Sequence, residues 1–492
     1  MMPDIQTFSE CFGLNKNQFE LDFVDIPVNN GDIPLFIDPY AISKRNDYWS
    51  VDCHNAIVEF FQGVIDQIRR NNATTAKYML SGLREPNQTR FGLSKGSHPN
   101  GRGIGPEQSV DLYDALADST AVRTGFIKDL EECELLIEGI SRDKISDITT
   151  NVIRNKLIEY TQAQCELWNI ETHSVASGSI WDSQANKWIN NYTNLPVCDD
   201  RSVILVPKAI ARFDMEFDHQ EYYQHFVLNF LQSEHLDANS SLIRTLKDGT
   251  KKPPFKKILK ELNPLSKRYL YDFSKDHPDV LDRYKSSKNY MLKEIRVEDL
   301  LALLASLKSS AEQQNFDFQT LIDGLDLIPA GDLNAKKFHE HTIGVLTAIF
   351  YPFLINPKKE KEIHEGRKRI DLVFQNSAHD GFFFELPNNK SIPSGYIFIE
   401  CKNYSSDPAN PEIDQLSGRF STNRGKFGFL VCRNFTNKQL FIQRCRDTAD
   451  DGRGFIIVLD DSDIKLLLNF RKANDIRGIN NFLDTRFQEL IM

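Results

Sequence analysis

Four short apolar runs near the C-terminus constrain this chain more than any other feature: "KRIDLVFQN" at 368–376, "YIFIECKNY" at 396–404, "FGFLVCRNF" at 427–435 and "FIIVLDD" at 455–461. Each has the length of a strand, and helix-period stretches at 334–350, 411–423 and about 437–448 surround them. A further strand-like piece, "KEKEIHEG", is expected at 359–366. The order is a helix, three strands, a helix and a strand, with a second helix and strand behind. A central mixed sheet covered by helices is the packing this order favours.

The run at 396–404 carries a chemical question. Period-2 geometry puts Tyr396, Phe398, Glu400 and Lys402 on one face of the strand, and Ile397, Ile399 and Cys401 on the other. An acid and a base thus share one side of a strand end, with Cα atoms about 6.5–7 Å apart. The bland reading is a surface ion pair, which adds little stability. The functional reading is a site. Carboxylates also stand on two neighbouring elements, Glu340 on the helix and Asp371 in the preceding strand. Hard divalent cations need only two or three converging carboxylates, because they keep waters. The backbone carbonyl of Cys401 would serve as another oxygen ligand. A lysine beside such a centre orients or deprotonates water and stabilises charge growing on a phosphate.

"GRKRIDLVF" followed by "YIFIECKNY" resembles the D…(D/E)xK signature of the PD-(D/E)XK, or restriction-endonuclease-like, nucleases. The matching residues are Asp371, Glu400 and Lys402, with Ile370 where many members carry proline. Glu340 in "KFHEHTIG" resembles the first-helix glutamate of the family, and Gln415 in "EIDQLSGRF" its polar residue on the following helix. The segment "SAHDGFFFELPNNKSIPSG" between the two halves is expected to be a hairpin insertion. The resemblance spans roughly 334–462 and implies an αβββαβ core. It also implies a Mg2+ (or Mn2+) cofactor held by Glu340, Asp371, Glu400 and the Cys401 carbonyl, with Asp371, Glu400, Lys402 and Gln415 as catalytic residues. DNA is the favoured substrate over RNA, and the family implies a homo-oligomer.

Upstream, three regions are expected: an α/β sensing or targeting region at 1–215, a mostly helical region at 216–325 and the nuclease domain at 326–492. In the first, "IPLFIDPY" (33–40) and "SVILVPKAI" (202–210) read as strands. "NAIVEFFQGVIDQIRR" (55–70) and "SDITTNVIRNKLIEYTQAQCELW" (146–168) read as helices, the latter capped by Ser146 or Asp147. Asp143 and Asp147, four apart, read as capping residues, with a ligand site or interface as the alternative. The glycine-rich "FGLSKGSHPNGRGIGPEQ" (91–108) is a loop in which Lys95 and Arg102 could hold a phosphate. It lacks a Walker A motif, and "HEH" at 339–341 lacks HExxH spacing, so an ATP motor and a zinc peptidase are excluded. In the helical region, 243–270 holds nine Lys or Arg against two acids. It is a solvated surface or, through Lys251, Lys252, Lys256, Lys257 and Lys260, a phosphate-contacting patch.

A net charge of −10 argues against indiscriminate coating of nucleic acid, although binding follows local patches. Eight cysteines without CxxC pairs suggest reduced thiols rather than a disulfide framework or a structural zinc site. With no secretory leader and no membrane-length apolar run, a cytoplasmic protein is expected. The function expected is a metal-dependent nuclease of bacterial restriction or antiphage defence, working with or without a separate partner protein. The alternatives are an inactive nuclease-fold module that binds nucleic acid or assembles a defence complex, and a metal-dependent phosphoesterase acting on a nucleotide.

Overall fold

The apolar runs assemble into one five-stranded sheet. The computed structural model describes residues 5–29, 31–92, 106–289, 294–308, 318–359 and 372–492. Labelled in chain order, the sheet's strands are β1 (Leu354–Lys358), β2 (Leu372–Asn376), β3 (Tyr396–Lys402), β4 (Phe427–Cys432) and β5 (Phe455–Leu459), in the spatial order β5-β4-β3-β2-β1. The helices around it are α1 (Ala335–Phe350), α2 (Gly381–Asn388), α3 (Asn410–Ser417), α4 (Lys438–Asp450), α5 (Asp461–Lys472) and α6 (Ile476–Ile491). β2 is antiparallel to β1 and β3, whereas β3, β4 and β5 are parallel. Parallel neighbours need crossovers, which α3 and α4 supply. All six residues of β4 are buried, as befits a central strand covered on both faces. Phe350 stacks on Phe429 at 5.5 Å, and Phe382 bridges Phe427 (5.5 Å) and Phe487 (6.1 Å), tying α1, α2 and α6 to the sheet.

The segment between β2 and β3 is not a hairpin. It contains α2, whose buried Phe382 packs against Phe487 of α6 while Phe383 lies edge-on to Phe350 of α1 at 5.3 Å. The strand expected at 359–366 lies outside the described residues, and the first strand is β1, just upstream.

The N-terminal part departs further from its sequence reading. The stretch 146–168 is not one helix but two, Arg142–Val152 and Arg154–Trp168. The N-cap of the first is Ser141, not Ser146 or Asp147. Ser146 Oγ instead accepts from the Ile37 N–H (2.9 Å), so the hydroxyl ties the helix to a neighbouring strand. Of "IPLFIDPY", only Phe36–Ile37 is strand, because Asp38 caps a helix that Pro39 begins. "SVILVPKAI" forms no continuous strand. Its N–H groups go to scattered partners: Val203 to the Pro196 carbonyl (3.0 Å), Ile204 to the Gln88 carbonyl (2.9 Å), Leu205 to Thr161 Oγ1 (2.9 Å) and Lys208 to the Asp22 carbonyl (2.9 Å). A hairpin of His173–Asp182 and Lys187–Leu195 was not anticipated. Nor was the disulfide between Cys11 and Cys198, which corrects the expectation of reduced thiols throughout. The two half-cystines are 187 residues apart, a pairing that only the fold reveals.

The edge strand β1 does not face solvent with open backbone groups, a hazard for any sheet. Asp22 accepts from the Asn356 N–H (3.2 Å), Gln164 Nε2 donates to the Pro357 carbonyl (2.9 Å), and Arg45 and Asp47 hold Ser377 Oγ at 2.7 and 2.9 Å. Behind these contacts Asp22 also accepts from the Tyr160 hydroxyl (2.8 Å). Lys208, fully buried, donates to the Gln18 carbonyl (3.0 Å) and lies over the Tyr351 ring. Burial pushes the Lys208 ammonium down to about 7 and the Asp22 carboxyl up. One apolar cluster continues from the N-terminal residues into the sheet. Among the described residues no helix is long and apolar enough to cross a membrane.

Candidate functional site

β3 ends as the sequence proposed, with Glu400 and Lys402 on one face, yet Glu400 does not reach solvent. Its exposure is 0%, at a position where β4 runs parallel beside it and Leu430 is its register partner. The same face of β3 packs under the end of α3: the Phe398 and Phe420 rings lie 5.7 Å apart. A carboxylate there needs compensation, since burying an unpaired charge is prohibitive. Two cations provide it. Lys402 Nζ stands 2.7 Å from Glu400 Oε1, and Arg419 Nη1 donates to Glu400 Oε2 at 2.7 Å. Gln415 Oε1 accepts from Lys402 Nζ at 3.5 Å, bringing the helix residue proposed from sequence to the strand pair.

Arg419 is the member that the sequence reading missed. It lies two residues past the end of α3, where its N–H donates to the Leu416 carbonyl (3.1 Å), so no helical period in the sequence pointed to it. The loop after β3 is also held: Asn403 donates to the carbonyls of Pro329 (3.0 Å) and Gly331 (2.7 Å) and accepts from Arg433 (3.1 Å).

Asp371 lies outside the described residues. Its chain neighbour Leu372 is paired with Ile399, the chain neighbour of Glu400. Glu340 is placed on α1, but its contacts are with Asn169 Nδ2 (3.0 Å) and Lys336 (3.8 Å) rather than with Glu400 or Lys402. The Cys401 side chain is partly exposed beside Glu400. Lys95 and Arg102 fall outside the described residues. The basic residues at 251–260 form a separate surface. Lys251 and Lys252 lie on a two-stranded hairpin with Arg244–Thr245, and Lys256, Lys257 and Lys260 on the helix Lys256–Leu262. Lys256 is engaged with the Gln224 carbonyl (2.7 Å), while Lys251, Lys252, Lys257 and Lys260 are exposed. Phe255, 56% exposed, sits among them with the Arg244 guanidinium 3.8 Å over its ring.

A cleft of about 680 Å³ lies far from this chemistry in sequence, lined by Phe36, Glu134, Arg142, His219 and Lys267. Glu134, Asp218 and His219 meet there within 4.8 Å of one another, the spacing of a metal centre. Lys267 (3.1 Å) and Arg142 (3.9 Å) already neutralise Glu134, and Arg142 pairs with Asp218, so the cluster is balanced internally.

Residues 13–218 match a family model described as a domain of unknown function (DUF8370). No curated protein matches the chain, and no solved structure does.

Proposed function

We propose that this chain is a metal-dependent nuclease whose active centre is the Glu400–Lys402 end of β3, with DNA as the favoured substrate. The observation that carries this reading is the fully buried Glu400 sharing a strand face with Lys402 at the carboxyl end of a parallel strand pair, where open α/β sheets place their ligands. The order α1, β1, β2, β3, α3 and β4, with α2 inserted between β2 and β3, β2 antiparallel and β4 parallel to β3, supports the restriction-endonuclease-like core that the motif implies.

The donors fit a hard cation: the Glu400 carboxylate, the Cys401 carbonyl and the Asp371 carboxylate are all oxygen ligands. Glu400 and Asp371 would hold Mg2+ or Mn2+, and a bound ion supplies Lewis-acid stabilisation of the phosphate's developing charge. Lys402 orients the attacking water and offsets negative charge on the phosphate. Gln415 positions Lys402, and Arg419 holds the Glu400 carboxylate in the buried strand end. The exposed Lys251, Lys252, Lys257 and Lys260, with Phe255 for stacking, offer a second contact to a polyanion. A homo-oligomer and a role in antiphage defence, with or without a partner protein, accompany this reading as analogy to nucleases of the same signature.

A second reading rests on Arg419. A carboxylate already neutralised by two cations suits an inert module that binds nucleic acid through the basic hairpin. Incubating the full chain with supercoiled plasmid and with structured RNA, in Mg2+ or Mn2+, separates the two. Nicking or linearisation supports the nuclease, whereas retention of DNA without any cut supports the module.

Reversing Lys251, Lys252, Lys257 and Lys260 to Glu is expected to weaken DNA binding and flatten its salt dependence, since each phosphate contact contributes about 0.9 to the slope on B-DNA. Fluorescence anisotropy across a salt series measures both. An unchanged slope returns the patch to a solvated surface.

A further inference from the structure

Segments from four parts of the chain close around another cleft, of about 400 Å³. Tyr40 comes from the helix Pro39–Ser43, His54 from Tyr48–Arg69 and Asp282 from Pro278–Asn289, while Asp129 and Glu131 come from the turn before Glu132–Leu136. The Tyr40 hydroxyl donates to the Lys285 carbonyl (3.3 Å), and the Phe217 ring lies 4.8 Å from the Tyr40 ring, so the aromatic wall of the cleft is held in place.

Glu131 is 8% exposed, so its carboxyl group has lost nearly all of its water. Among the described residues it accepts no hydrogen bond from another residue and joins no ion pair. Burial, then the carboxylates of Asp129, Asp38 and Glu132, push it up to about 8. Glu132, its chain neighbour, is satisfied: it pairs with Lys285 and accepts from the Lys128 N–H (2.7 Å). The carboxylates of Asp129, half-buried, and Asp282, exposed, have no hydrogen bond or ion pair among the described residues. His54 has no hydrogen-bond partner among them either, and burial holds its imidazolium below the usual histidine range, so the ring lining the cleft is neutral at pH 7. A carboxyl group deprived of both water and partners is unfavourable, and a cation entering from outside offsets that loss.

The placement of these groups decides which kind of cation fits. Among the described residues, only Glu134, Asp218 and His219 bring three ligand atoms within 4.8 Å of one another. Glu131, Asp129 and Asp282 therefore do not converge on one point, as a metal ion requires. They are spread around a cavity whose wall carries the Tyr40 and Phe217 rings. Tyr40 already attracts an ammonium, since Lys44 Nζ stands 4.6 Å from its ring centroid. Separated acids beside an aromatic wall match a linear chain with an ammonium at each end.

We propose that this cleft binds a small linear polyamine, with Glu131 taking one ammonium inside and Asp129 and Asp282 another at the mouth. The methylenes lie along Tyr40 and Phe217, and His54 accepts a hydrogen bond from an amine. The site uses no residue of β3, so it stands whether or not Glu400 holds a metal.

The test is isothermal titration calorimetry of the full chain with spermidine, in EDTA and without nucleic acid. One spermidine per chain is expected. Glu131→Gln is expected to weaken its Kd by about 10–100-fold, as for loss of one charge-assisted hydrogen bond. Asp282→Asn, an exposed change that leaves the core intact, should weaken it by about 2–5-fold, the range of an exposed ion pair. Asp451→Asn makes the same charge change on an exposed turn outside the cleft and should leave the Kd unchanged. An unchanged Kd in Glu131→Gln or in Asp282→Asn overturns the proposal. An equal loss in Asp451→Asn also overturns it, because binding would then be diffuse attraction to a chain of net charge −10. In a parallel titration without EDTA, one-site binding of Mg2+ alone that Glu131→Gln abolishes would overturn it too, by making a metal the occupant.

Discussion

Lys402→Ala is expected to reduce plasmid cleavage by about 10²–10⁴-fold, the range for removal of a positioned group that handles the proton or developing charge. The side chain is placed for this: it sits on the Glu400 face of β3, 2.7 Å from that carboxylate and within reach of Gln415. Binding of uncut DNA in Ca2+ should be nearly unchanged, because the variant leaves the basic hairpin intact. Gln415→Ala should show a smaller loss, as it acts only through Lys402. Equal cutting by wild type and Lys402→Ala in single-turnover assays would remove β3 from the chemistry.

Arg419→Leu is expected to destabilise the C-terminal sheet by about 3–5 kcal/mol, the usual consequence of removing one partner from a buried ion pair. The Arg419 side chain is 1% exposed and the Glu400 side chain 0%, so little solvent screening reduces the loss. Leu fills part of the volume but leaves Glu400 with Lys402 as its described counter-charge. Adding Glu400→Gln should recover much of the stability, because the uncompensated charge then disappears. Hydrogen exchange across 396–402, with and without Glu400→Gln, measures this locally. A loss below about 1 kcal/mol would mean that Arg419 behaves like a surface ion pair.

The parts legible in the sequence are those whose signal is local. β3, β4 and β5 are continuous apolar runs, and α1 and α4 show a helical period, so their kind and order could be read directly. The acid and base on one face of β3 followed from strand geometry alone. What escaped depends on partners distant in sequence. "SVILVPKAI" has a strand's composition, but its N–H groups are claimed by Pro196, Gln88, Thr161 and Asp22, so no ladder forms. The hairpin at 173–195 was hidden by its polar composition, most of its residues being exposed or half-exposed, although Asn186 at φ 49° marks its turn. Asp147 read as a cap because aspartate favours helix starts, yet Ser141 begins that helix a turn and a half earlier. Its burial against Glu85 and Asp32 had no counterpart in a linear pattern.

The cover over β1 has a consequence for how this chain is made. Asp22 and Asn356, joined across it, are 334 residues apart. While the N-terminal part emerges from the ribosome, Asp22, Tyr160 and Lys208 must wait with an incomplete set of partners until β1 is synthesised. Final closure is therefore a late event in the life of each nascent chain.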